Sequence, residues 1–308
     1  MSFFAGFAGN PSRWRRRPGA GASTYGPAFT VLEMLLAMSI AGLVILGVTG
    51  TFTIHCRTYR AQRDVRDMQQ NLQTALEIIS REIRMAGYGL AIPPSKLALW
   101  IPWVPGIAAN PHIAPGATAA APDSLCVVGS FDGQVAALSA AVTNGATTLP
   151  LQYGQGSLFN TNERRVIYLG RCETLRVVGR SGDTLTVSRD PTTSGRGLRY
   201  AYAAGAPVEL VKAVTYTCRN DVAEYAGRPQ LLRDASGESV PREWQKIAAA
   251  CIEDFQVVRG TNCLTLTVGG RTRHMDAHYT DPDKGDAYRR MRLTTQVLPR
   301  NTQFPVLP

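Results

Sequence analysis

Residues 29–54 form one apolar run, "FTVLEMLLAMSIAGLVILGVTGTFTI", broken by a single charge, Glu33. No other feature constrains the fold as strongly. As a helix, 26 residues at about 1.5 Å each extend roughly 39 Å, enough to cross a bilayer. Arg13, Arg15, Arg16 and Arg17 lie just upstream, in a stretch with no acidic residue. By the positive-inside rule they hold the N-terminus in the cytoplasm and send the rest of the chain across. A secretory signal has a shorter apolar core followed by small residues for cleavage. Here His55 and Arg57 follow, and a polar helix begins. A carboxylate within lipid costs a few kcal/mol, so Glu33 requires a reason.

The helical pattern continues past the apolar run. Val65, Met68, Leu72, Leu76, Ile79 and Ile83 recur at spacings of three and four, with Arg63, Asp64, Arg66, Asp67, Gln70 and Arg81 on the other faces. No proline or glycine interrupts residues 51–86. The spacing predicts one helix from Phe29 to about Ala86, whose second half packs on a globular domain. Gly87 and Gly89 end it. Pro93, Pro94, Pro102, Pro105, Pro111 and Pro115 predict an irregular segment over 90–122.

Beyond it the pattern is strand-like. "SLCVVGSF", "RRVIYLG", "ETLRVVGR", "DTLTVSR", "PVELVKAVTYTC", "FQVVRG" and "CLTLTVGG" are short, rich in Val, Leu and Thr, and bounded by turn residues. "GRSGDTL" reads as a hairpin turn. No helix-length period separates most of these runs, so the sheet should be antiparallel. The fold class is therefore α+β. Its expected divisions are a leader (1–28), an apolar helix (29–54), an amphipathic helix (55–89), the proline-rich segment (90–122) and a β-rich domain (123–308).

Candidate chemistry is sparse. His274 and His278 stand four apart in "HMDAH", and Asp281, Asp283 and Asp286 surround Gly285 in "DPDKGDA". The first pair lacks an evident third ligand, and the second lacks the order and distant glutamate of a calcium loop. No metal or cofactor is expected. No GxSxG, HExxH, P-loop or GxGxxG occurs, so the expectation is a non-enzyme. The net charge of +10, from 33 basic and 23 acidic residues, is scattered outside the leader, which argues against nucleic acid. Six cysteines contain no CxxC pair. Beyond a membrane they would face an oxidising compartment, and Cys126, Cys172, Cys218, Cys251 and Cys263 are the disulfide candidates, with the connectivity open.

The opening segment resembles the processing signal of type IV prepilins: a basic leader, a small residue, an aromatic residue and a glutamate at the fifth mature position. The stretch "AFTVLEMLLAMSI" matches with Ala28 before the scissile bond and Phe29, Thr30 and Glu33 as first, second and fifth mature residues. Ala28 stands where the family has glycine. Weaker similarities in "LEIISREIRMAGYG", "IAAACIEDFQV" and "RMRLTTQVLPRN" favour the PilW-like minor pilins over the J-type minor pseudopilins of type II secretion. The resemblance implies a pilin-like fold, cleavage by a prepilin peptidase at the inner membrane and N-methylation of Phe29. It also implies assembly with other minor pilins and a major pilin, priming or capping a pilus. Glu33 would then pair with the α-amine of a neighbouring subunit and set register. A membrane-anchored enzyme or metal-binding protein using 274–286 is the rival from another class.

Overall fold

In the computed structural model the described residues are 30–92, 96–102, 104, 106–118, 121–159, 166–219, 228–235 and 244–301, with no side chains described over 244–249. The α+β class holds: one long helix and antiparallel sheets. Helix α1 runs Val31–Arg84. Chain contacts divide the protein into two units, Met1–Arg57 and Thr58–Pro308, and α1 contributes to both.

Within the second unit the periodic stripe faces inward. Leu72, Ala75, Ile79 and Ile83 are fully buried, Met68 nearly so, and Val65 and Leu76 pack at the margin. Their partners are Leu125, Val127, Val214, Tyr216, Phe255, Leu266 and Val268 from two sheets. Gly270 lies so near α1 that a side chain there would press on Leu72, 3.3 Å away. The helix ends as the glycines require. Gly87 adopts φ 81°, and its amide donates to the Val128 carbonyl at 2.9 Å.

The first sheet has the order β1-β2-β9-β10-β11, all antiparallel: β1 (His112–Ala114), β2 (Ser124–Gly129), β9 (Lys212–Arg219), β10 (Gln230–Asp234) and β11 (Trp244–Ala250). Both faces of its centre are covered. Leu125 and Val127 meet α1, whereas Cys126, Val128 and Ala213 meet Leu97, Trp100, Ile101 and Ile107. That is why "SLCVV" reads as an unbroken apolar run. The proline-rich segment is thus less irregular than expected. It contributes the short helix α2 (Leu97–Trp100) and β1. A second sheet joins β12 (Ile252–Arg259), β13 (Leu264–Arg271) and β14 (Arg290–Val297) in sequence order.

The third sheet departs from a single β-rich core. Its order is β3-β8-β5-β6-β7-β4, from β3 (Gln134–Ala137), β4 (Thr148–Pro150), β5 (Val166–Leu169), β6 (Glu173–Ser181), β7 (Thr184–Ser188) and β8 (Pro207–Leu210). The bridge Leu138–Leu151 joins its two end strands, closing a small barrel. A separate core fills it, with Phe159, Ile167, Leu169, Leu175, Leu185 and Val208 at no more than 0% exposure. Gly129 and Lys212 are cross-strand partners, so residues 130–211 leave and rejoin the first sheet at adjacent points. The run "PVELVKAVTYTC" therefore forms two strands rather than one. Val208 and Leu210 enter the barrel, Val211 and Ala213 meet Trp100, and Val214 and Tyr216 meet α1.

One ionic group lies between α1 and the first sheet. Arg233 donates to Glu82 Oε1 from Nε at 2.9 Å and from Nη2 at 2.6 Å, and the Tyr216 hydroxyl donates to Glu82 Oε2. The two charged side chains are 19% and 12% exposed. Burial, then the Glu82 charge, pushes the Tyr216 hydroxyl far up. Burial opposes the charge of Arg233, but the Glu82 carboxylate outweighs it and raises that pKa.

Because the second unit carries its own cores, a fragment spanning residues 58–308 should fold without the apolar run. Its circular dichroism should be mainly β with one helical component. A disordered or all-helical spectrum would overturn the assignment.

Candidate functional site

The site built around Glu33 begins with the local chemistry of a helix start. The first turn of any helix leaves amides without intrahelical partners. Here Thr30 is the N-cap: its carbonyl accepts from Met34 N at 3.2 Å. The Thr30 hydroxyl accepts from Glu33 N at 3.3 Å, while Glu33 Oε2 accepts from Thr30 N at 2.9 Å and from Thr30 Oγ1 at 3.0 Å. This reciprocal pair is a capping box. The signal is present in the sequence as Thr-Val-Leu-Glu over 30–33, a threonine followed three residues later by a glutamate. Glu33 therefore has a role within one chain, satisfying amides and facing the positive end of the helix dipole. Ala28 and Phe29, the expected processing pair, lie outside the described residues.

The rest of the apolar half of α1 is bare. Val31, Leu32, Leu43 and Leu46 are each more than 70% exposed. Such a surface needs lipid or other apolar helices to cover it. Its hydroxyls avoid the cost of burial in such surroundings by bonding to their own helix. Ser39 donates to the Leu35 carbonyl at 2.8 Å, Thr49 to Ile45 at 2.7 Å and Thr53 to Gly50 at 2.8 Å. The helix has the length and composition of a membrane anchor or a signal sequence.

The other candidates do not converge. His274 Nδ1 lies 2.9 Å from Asp64 Oδ2 on α1, and His278 is exposed, so the two imidazoles share no centre. Asp276, between them, accepts from Arg289 at 2.8 and 3.0 Å. The aspartate loop is organised by a cation from the chain itself. Arg290 donates to both oxygens of Asp286 at 2.6 Å, to Glu253 at 2.6 Å, and sits 3.0 Å from Asp281. Asp283 contributes its amide to Asp281 Oδ1 at 3.0 Å, and its side chain is exposed. Among the described residues no group of three or more His, Cys, Asp or Glu could hold a metal ion.

The Arg290 guanidinium holds the Asp286 carboxyl down at about 2 and also lowers Asp281. A depressed folded-state pKa stabilises above the ordinary carboxylate range and is lost as pH falls. Arg290→Met should therefore be less stable than wild type at neutral pH, and the gap should close between about pH 4 and pH 2. Denaturant titrations at a series of pH values measure this. A gap independent of pH would mean that Arg290 acts through packing alone.

All six cysteines, Cys126, Cys172, Cys218, Cys251 and Cys263 as well as Cys56, are free. Strand register explains part of this: Cys126 on β2 stands opposite Thr215, and Cys218 on β9 stands opposite Leu231. The Cys218 thiol donates to the Ile252 carbonyl at 2.9 Å. Burial pushes Cys126 and Cys218 up to about 12, which makes both poor thiolates at neutral pH. Cys172 is exposed, in the turn leading into β6 of the barrel.

Comparison with family models, with curated proteins and with solved structures gives no match. The architecture itself decides the description: a long N-terminal helix, apolar in its first half, with its second half packed against antiparallel sheets. It is a pilin-like architecture. The pilin-like helix carries its lone apolar-half carboxylate at the very start, within the cap.

Proposed function

We propose that this protein is a minor subunit of a type IV pilus, anchored in the inner membrane by α1 before assembly. The observation that carries this reading is the capped start of α1. A single carboxylate sits at the beginning of an exposed apolar helix, at the fifth position of the proposed mature chain. Cleavage before Phe29 would create an α-amine one helical turn from Glu33. In a filament the carboxylate of one subunit would meet the amine of its neighbour among apolar helices. That pairing offsets the desolvation of both charges and favours one axial register. The proposed partners are other pilins, the prepilin peptidase and the membrane.

The test is expression with and without a prepilin peptidase. A cleaved product whose N-terminal residue is methylated Phe29 is expected only with the enzyme. Cleavage elsewhere, or none, would count against the reading. The small Ala28 in place of glycine should slow cleavage relative to Ala28→Gly.

A further inference from the structure

A second feature lies at the other end of α1. Arg81 and Arg84 occupy its last turn, and Arg300 and Asn301 follow β14. The Arg300 amide donates to the Arg84 carbonyl at 3.3 Å, which ties the two segments together. Together with Met85 and Tyr88 these residues line an open pocket of about 400 Å³. Among the described residues no acidic side chain lines it, and no carboxylate pairs with Arg81, Arg84 or Arg300. Elsewhere in the domain Arg233, Arg171 and Arg290 are each paired with a buried or partly buried carboxylate, Glu82, Glu209 and Glu253 respectively. The helix C-terminus answers only about half a charge of the three, so most of the positive field here is unbalanced.

We infer that this pocket receives two carboxylates from an acidic segment of a partner protein. A guanidinium presents a planar fork of donors that fits a carboxylate in two-point geometry. The walls identify the occupant further. The Tyr88 hydroxyl is turned toward Glu209 Oε1, 3.4 Å away, leaving its ring and the Met85 side chain as the apolar part of the lining. Such walls suit the methylene stems of Asp and Glu. Binding here does not require the filament reading, and its test uses no filament.

The experiment uses the full chain in detergent micelles and a fluorescein-labelled hexaglutamate peptide, read by anisotropy at physiological salt. Arg84→Ser/Arg300→Ser should bind about tenfold more weakly than wild type. Arg189→Ser/Arg273→Ser removes the same net charge from exposed positions outside the pocket and should change affinity by no more than about twofold. Equal losses in both double variants would reduce the binding to diffuse attraction and overturn the site. Undetectable binding to wild type would overturn it as well. Displacement of the peptide by inorganic phosphate at matched charge would assign the pocket to free oxyanions and overturn the peptide occupant.

Discussion

Glu82→Ala should destabilise the second unit by about 3–5 kcal/mol, the usual cost of leaving half of a buried ion pair behind. Arg233 would lose the carboxylate that accepts two of its N–H groups, and the Tyr216 hydroxyl, on a fully buried side chain, would lose its acceptor. Tyr216 is fully buried and Arg233 is only 19% exposed, so water can replace the lost acceptor only in part. Glu82→Gln keeps an acceptor for each donor and should cost less than alanine. Replacing the whole group by apolar residues, Glu82→Leu with Arg233→Met and Tyr216→Phe, should recover much of the loss, because no charge is then stranded. Urea denaturation of residues 58–308 measures all three. A cost below about 1 kcal/mol for Glu82→Ala would show that water reaches Arg233 and that the group contributes as a surface pair does.

The second large effect concerns Glu33, where the observed helix cap and the proposed subunit ion pair fall on one side chain. Glu33→Ala removes both the carboxylate and one half of the capping box with Thr30. Loss of the cap alone should have a small effect, whereas loss of the proposed ion pair should lower assembly on the order of a hundredfold. Membrane insertion should be unimpaired, since a charge leaves the apolar run. Cleavage at Ala28–Phe29 should persist, and the amount in sheared filaments should fall steeply. Glu33→Gln separates the two roles. Glutamine serves a capping box but carries no charge, so its filament level should lie between wild type and alanine. Wild-type incorporation of Glu33→Gln would reduce Glu33 to a helix cap. Wild-type incorporation of Glu33→Ala would remove the ion pair from the account altogether.

Much of the helical part was legible before any coordinates. The stripe from Val65 to Ile83 declares its buried face through a period set by the helix itself, and Gly87 supplies the positive φ that stops it. Thr30 and Glu33 also meet through local geometry, three residues apart, and "TVLE" could have been read as a cap. These are short-range relations, so the order of residues alone determines them. The sheets were legible only as strands. Alternation tells which side chains share a face of one strand and says nothing of which strand lies beside it. Hence "PVELVKAVTYTC" looked like one element, although the barrel closes on its first half and the first sheet on its second. Likewise the sequence places Asp281 and Asp286 around Gly285 but does not show that Arg290 turns into them together with Glu253, which lies 37 residues away in sequence. Only the tertiary structure decided those pairings, because electrostatic and hydrogen-bond partners are chosen by proximity in space, and proximity between strands is a property of the whole folded chain.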